Sequence, residues 1–352
     1  MSIKFKEVPK RIYPERTGFR PNTTCFPMDL NFIFINGGMG DYITWLTAIE
    51  WMASEATWIR GNLVCPVYLL EIAEHVLKPY PEWGVKSYKN ISELPNPDGT
   101  PFRGPVELHR ESLNATGAHL STCGWVYFCN KEKAPSPEWD RYPFLEQSHL
   151  DTVELPEEAL ALAPGSYAII TTGMTTNSRK IPGEYWNHVI EHVVARGLTP
   201  VFLGKSVVET GNAANIRTTF SHRVKYDLGL DLRDKTSLMQ AAAVMSKAAV
   251  VIGHDNGLLH LAGCVPGVPI VFGYNLASPE HREPKRKDKA PIFNVTLTPQ
   301  ELACIHCQSN TNFLIGYNFR ECFYGDMACM PKLFEGEGAR WKAQIDKAIG
   351  YK

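Results

Sequence analysis

Through the C-terminal half of this chain, short apolar runs alternate with stretches whose apolar residues return every three or four positions. A short apolar run bounded by turn residues reads as a buried strand, and the longer period as an amphipathic helix. Tyr167–Thr171 predicts a strand; 183–196 predicts a helix, entered after Pro182 and stopped by Gly197. A strand at 200–203 follows, then a helix capped by Thr236 and running to about Lys247. A strand at 249–253, a short helix at 258–264 and a strand at 269–272 complete the series. Such alternation predicts an α/β fold, a parallel sheet covered by helices on both faces.

The N-terminal half is less regular. An apolar run at 31–35 ends at Gly37 and Gly38, which predicts a buried strand and a tight loop. Asp41 opens a helical stretch to about Ala53, with Trp45, Ile49 and Met52 at helical spacing. Runs at 63–70 and 124–129 read as strands, and the Pro- and Gly-rich stretch 95–105 as a loop. Residues 1–30 read as a polar arm, with six Lys/Arg against three Asp/Glu. Several prolines and an acidic patch in 134–165 suggest a boundary there, dividing an N-terminal domain, 31–150, from a C-terminal one, 151–352. A length of 352 residues suits two domains.

Charge narrows the partners. Lys plus Arg is 36 and Asp plus Glu is 37, so no global field favours nucleic acid or an anionic membrane. The most apolar runs are too short to span a bilayer, and no apolar segment follows Lys4 and Lys6, so the expected location is the cytoplasm of the host cell. Nine cysteines in such a chain point to free thiols or metal ligands ahead of disulfides.

Ligands of open parallel sheets bind at the carboxyl ends of the strands. After the first strand comes Asn36-Gly37-Gly38-Met39-Gly40-Asp41. Its glycines allow close backbone approach, and the helix start beyond it suits phosphate. Taken alone, the loop reads equally well as a plain turn with Asp41 as a cap. After 167–171 comes a loop carrying Thr172, Gly173, Thr175, Thr176, Ser178, Arg179 and Lys180, hydroxyls and cations that suit a diphosphate or a polar surface. Gly204-Lys205-Ser206 is a weaker case. After 249–253 comes His254-Asp255-Asn256-Gly257-Leu258-Leu259-His260, whose Asp and Asn can cap the next helix while backbone amides face an anion. Several such loops at one sheet edge favour a phosphate-bearing ligand.

These pieces, in this order, resemble the bacterial heptosyltransferase family. The matching residues are Gly38-Met39-Gly40-Asp41, Lys180 followed by Trp186, Phe202-Leu203-Gly204, 238–246, and Asp255-Asn256-Gly257-Leu258-Leu259-His260-Leu261-Ala262, over roughly 31–275. The family usually has Thr where this chain has Asn256. The resemblance implies the GT-B fold, two Rossmann-like domains with parallel sheets facing a central cleft. It implies a glycosyltransferase that moves a heptose or related sugar from an ADP-linked donor to an acceptor hydroxyl with inversion. Asp41 would be the general base. Gly38, Gly40, Thr172, Thr175, Lys180, Gly204, Asp255, Asn256, Gly257 and His260 would bind the donor, with no catalytic metal. Acceptors consistent with this reading are a glycan, a protein or nucleic acid, without integral membrane association. The alternatives are an epimerase or hydrolase on the same fold, a non-catalytic nucleotide-sugar-binding protein, or an enzyme that modifies nucleic acid. The last would use the arm at 1–30 and the basic cluster at 281–289.

Cys304, Cys307, Cys322 and Cys329 form a separate cluster with one pair at CxxC spacing, and His306 lies inside that pair. Four thiols so placed suit a closed structural site for zinc or iron. A similar four-cysteine finger occurs in the protein-glycosylating branch of the family, where it binds iron. The other cysteines, at 25, 65, 123, 129 and 264, are scattered.

Overall fold

The computed structural model describes residues 28–33, 38–55, 59–89, 125, 134–173, 179–206, 223–307, 322 and 327–351. They build two parallel sheets. The first runs β1 (Met28–Ile33), β2 (Ile59–Pro66) and β3 (Trp83–Tyr88) in that order. Helix α1 (Met39–Glu55) joins β1 to β2, and α2 (Leu70–Leu77) joins β2 to β3. The second sheet holds β4 (Tyr167–Thr171), β5 (Thr199–Phe202), β6 (Leu230–Asp231), β7 (Val250–His254), β8 (Ile270–Gly273) and β9 (Ile292–Val295). Its order is β6-β5-β4-β7-β8-β9, with every neighbour parallel. The chain leaves β4 in one direction and returns to β7 on its other side. The carboxyl ends of β4 and β7 therefore form the topological switch point, where open α/β sheets bind ligands.

All five residues of β4 and of β7 are buried, because helices cover both faces. The period-2 alternation divides them. Ile169, Val201, Val251, Ile270 and Phe272 pack with α4 (Leu238–Ser246) and α5 (Gly257–Ala262). Ile170, Phe202, Ile252 and Val271 pack with Trp186 and Val189 of α3 (Gly183–Ala195), and with Trp341 and Ile345 of α6 (Glu335–Ile349). The first of these cores continues into Ile43, Leu46 and Ile72, so α1 and α2 lie against α5 and α4.

The predicted elements of the second sheet form within about a residue of their expected bounds. Three details differ. The run at 63–70 splits, because β2 ends at Pro66 and Val67–Leu69 form a 3₁₀ turn into α2. The first strand is β1 at Met28–Ile33, in place of 31–35. The cap of α4 is Ser237, not Thr236: its Oγ accepts from Gln240 N–H (3.3 Å), and its own N–H donates to Gln240 Oε1 (2.9 Å). The arm up to residue 27, the loop at 95–105 and, apart from Trp125, the run at 124–129 lie outside the described residues. Ser237 Oγ also donates to Glu71 Oε2 (2.6 Å), tying α4 to α2. Ser237→Ala is expected to lower unfolding free energy by about 1 kcal/mol in urea titration, and an unchanged midpoint would show the cap to be idle.

Candidate active site at the switch point

The site begins where β7 ends. Asp255 N–H donates to Gly273 O on the neighbouring strand (3.1 Å), which carries the hydrogen-bonding pattern of the sheet one residue past β7. Asn256 then caps α5. Its Oδ1 accepts from Leu258 N–H (3.0 Å) and Leu259 N–H (3.1 Å), and its Nδ2 donates to Thr171 Oγ1 (3.1 Å). The expected cap on this helix is thus Asn256, and its side chain occupies two of the helix-start amides, those of Leu258 and Leu259. The donor hydrogens of Asn256 in turn pin the loop to the end of β4.

The N-terminus of α1 meets this turn. Asp41 is the third residue of α1, is 6% exposed, and accepts from Gly38 N–H through Oδ2 (2.7 Å). That is the back-reaching half of a capping box. The next residue outward is Gly40, and a Cβ there would lie 2.6 Å from His260 Cδ2. A Cβ on Gly257 would lie 2.5 Å from Met39 Cε. Backbone therefore meets backbone and imidazole at a distance only glycine permits. The predicted Gly38, Gly40, Asp41, Gly257 and His260 are thus assembled at one place.

Behind the contact runs a buried polar chain. Arg179 Nη1 stands 3.5 Å from Asp255 Oδ2, and Asp255 Oδ1 lies 3.3 Å from His260 Nε2. His260 Nδ1 lies 3.0 Å from the Tyr142 hydroxyl. Burial opposes the charge on Asp255. Arg179, the His260 bond and the nearby Arg282 outweigh burial and hold this carboxyl well below the usual range. Burial raises the Tyr142 phenol well above its ordinary value, so it keeps its proton. The tautomer of His260 follows from its neighbours. An ionised Asp255 can only accept, so Nε2 carries a hydrogen toward it, and Nδ1 pairs with the Tyr142 hydroxyl. Both nitrogens are engaged, and His260 reaches a phosphate only by giving up one of these bonds.

The remaining predicted donor residues are spread along the same edge. Thr172 is buried at the end of β4, its Oγ1 paired with the Tyr226 hydroxyl at 2.8 Å. Gly204, at φ +123°, follows β5 and faces Leu258 of α5. Lys180 sits half-buried ahead of α3. Thr175 lies outside the described residues. Arg179 is the residue of that loop seen on Asp255. Tyr142 also belongs to the site without a sequence signal, whereas His254 stands in the 254–260 string and Arg282 in the basic cluster at 281–289, neither with a role assigned from sequence. Both ring nitrogens of fully buried His254 lack a hydrogen bond of full geometry, although the Asn275 amide lies beside it. Burial pushes its pKa down to about 4, against a smaller opposite pull from Asp255.

The four clustered cysteines are partly exposed and free of disulfides. Burial pushes the Cys329 thiol up to about 11; Asn275 opposes this, and Cys307, Cys322 and Cys304 add to it from close by. Four gathered soft donors fit zinc or iron by chemistry. Among the described residues, no three His, Cys, Asp or Glu form a group that could hold a metal ion. His306 is turned elsewhere, its Nε2 2.6 Å from Thr296 Oγ1. The basic cluster at 281–289 is also engaged internally. Lys285 pairs with Asp140 (2.6 Å), Arg286 binds Asp288 and two carbonyls, and Lys287 lies over Phe144. Among the described residues, no helix is long and apolar enough to cross a membrane.

Two parallel sheets whose loop-bearing edges meet at one buried polar site define a GT-B architecture, the class of many sugar-transferring enzymes. The chain belongs to glycosyltransferase family 9, the heptosyltransferase family, whose model matches residues 134–311, just over half its length. It is therefore a glycosyltransferase. Among solved structures it is similar to the iron-containing dodecameric glycosyltransferase TibC from enterotoxigenic E. coli H10407, at 16% identity, a TM-score of 0.61, and coverage of 91% of this chain and 78% of that one. It is also similar to E. coli heptosyltransferase WaaC with ADP, at 16% identity, a TM-score of 0.50, and coverage of 81% of this chain and 97% of that one. At these identities the likeness shows the fold. No curated protein matches the chain.

Two outcomes are expected of the site. His254 ionises near 6.5 when unfolded and about 4 when folded, so its contribution to stability is full above pH 6.5 and is lost as pH falls towards 4. Denaturant titrations at stepped pH should show a loss of a few kcal/mol, at about 1.4 kcal/mol per pH unit, and His254→Gln should flatten it. An identical slope in the variant would refute the assignment. Gly40→Ala should cost about 1–3 kcal/mol by forcing His260 aside, and full stability with an unmoved His260 resonance would contradict the contact.

Proposed function

We propose that this glycosyltransferase moves a heptose or related sugar from an ADP-linked donor to an acceptor hydroxyl, with inversion. The observation that carries the reading is the meeting of Asp41 with the Asp255–His260 turn at the switch point of the second sheet. The N-terminal domain, 31–150, would hold the acceptor and the C-terminal domain, 151–352, the donor. TibC in complex with ADP-D-beta-D-heptose, similar at a TM-score of 0.59 and 16% identity, and WaaC with ADP support an ADP-linked donor.

The chemistry follows from the residues. The acceptor hydroxyl attacks the anomeric carbon as the C–O bond to the nucleoside diphosphate breaks. The Asp41 carboxylate takes the hydroxyl proton as the new bond forms. One displacement from the opposite face inverts the centre. Negative charge grows on the leaving diphosphate, and Arg179 and Lys180 can meet it without a metal. Because Asn256 caps α5, these cations and the hydroxyls of the Thr172 loop carry more of the phosphate binding than the helix amides do. His260 acts through Asp255, helping Arg179 hold it ionised, and Tyr142 fixes the His260 ring. The acceptor is a glycan or a protein. The cysteine cluster would hold one structural iron or zinc ion through Cys304, Cys307, Cys322 and Cys329, away from the reaction.

Asp41→Asn is expected to lower kcat by about 100-fold or more while calorimetric binding of ADP stays within a few-fold. Retained turnover would remove Asp41 as the base, and loss of ADP binding would make its role structural. Metal analysis of the purified protein should find about one iron or zinc per chain, and removing it should lower the Tm. A metal-free chain of unchanged Tm would refute the cluster's role.

A further inference from the structure

Arg282 stands on the turn after β8 and is 8% exposed. Its stretch is pinned on several sides. Ser278 Oγ lies 2.7 Å from His281 Nδ1, Asn294 Nδ2 donates to Glu283 Oε2 (2.5 Å), and Lys285 O accepts the Tyr142 N–H (2.7 Å). A Cβ on Gly263, just past α5, would lie 2.4 Å from Pro284 Cβ. Nearby charges are matched, Lys285 to Asp140 and Arg286 to Asp288. The Arg282 guanidinium makes no ion pair or hydrogen bond among the described residues. Asp255 is the carboxylate it faces, and that group is already held by Arg179 at 3.5 Å and His260 at 3.3 Å. Around Asp255 two guanidiniums thus face one carboxylate. A guanidinium so far removed from water is costly unless an anion offsets it. Its side of the site is also defined. The Tyr142 phenol feels both Arg282 and Asp41, whereas Arg179 reaches Asp255 from the loop after β4. Arg282 therefore stands on the side of the proposed base.

We infer that Arg282 is a donor-binding residue whose guanidinium takes the sugar-bearing phosphate of the diphosphate. The planar fork matches two oxygens of a phosphate. The position selects which phosphate: the one next to the anomeric carbon lies nearest the base, on the Asp41 side. The charge balance agrees. As transfer proceeds, Asp41 gains the acceptor proton and loses its negative charge. The C–O bond to the diphosphate breaks, and its electron pair stays on the oxygen of that phosphate. The charge lost at Asp41 reappears beside Arg282, which is already in place to meet it. The inference rests on the donor reading proposed above.

The test is calorimetric titration of the full chain with ADP and with AMP, which lacks the second phosphate, each variant's fold being checked by its Tm. The wild type should bind ADP about tenfold or more tightly than AMP. Arg282→Gln should weaken ADP binding about tenfold and leave AMP within about twofold. Arg282→Lys keeps the charge beside Asp255 but loses the fork, and should weaken ADP about threefold. Wild-type ADP affinity in Arg282→Gln would overturn the inference. Equal losses for ADP and AMP would also overturn it, since Arg282 would then serve only to support Asp255. A wild type that binds ADP no better than AMP overturns the inference and leaves the donor reading standing; one that binds neither removes both. Should Arg282→Gln fail to fold, Arg282→Lys decides, and unchanged ADP affinity in it overturns the inference.

Discussion

The buried charge of Asp255 sets the conditions for everything around it. An ionised carboxylate with little access to water is tolerated only where other charges and hydrogen bonds compensate its lost hydration. Here Arg179 comes from the loop after β4, Arg282 from the turn after β8, and His260 from α5. Tyr142 comes from a segment that precedes the second sheet altogether, and its backbone N–H is fixed to Lys285 O at 2.7 Å. Leu145 N–H to Cys264 O, at 2.9 Å, fixes the same segment again. Three of these stretches meet Asp255 itself, and the fourth reaches it through His260.

The same requirement explains the geometry offered to a substrate. Under the proposed function, a bound donor would share Arg179 with the protein's own Asp255 carboxylate. The Asn256 side chain occupies the Leu258 and Leu259 amides and so fixes the turn at the start of α5. Asp41 arrives from the other sheet with its Oδ2 held by the Gly38 N–H.

Much of this was legible in the sequence because the second sheet is buried on both faces. Its strands read as continuous apolar runs, and proline and glycine mark the ends of the helices. The first sheet was harder: β3 carries Lys86 and Ser87 on a half-exposed strand, and its apolar pattern is correspondingly thin. The glycine-bearing turns at 38–41 and 255–260 were visible as local strings. Their meeting was not, because a contact between Gly40 and His260 depends on how two sheets pack. Tyr142 stands 118 residues from the imidazole it orients and carries no local signature. Asn256 illustrates the reverse case: its residue type was noticed, but the choice between capping the helix and leaving its amides to a ligand is settled only by where its side chain turns.

The glycine contact has a mechanical consequence. Where α1 touches α5 there is no space for a methyl group, so the two sheets cannot slide closer at that point, and separating them there exposes the buried polar chain to water. Relative motion that preserves the contact is rotation about it. Gly40 and Gly257 then act as a fulcrum close to Asp41, and a rocking of the two halves would sweep distant loops through large arcs while leaving the carboxylate almost where it was.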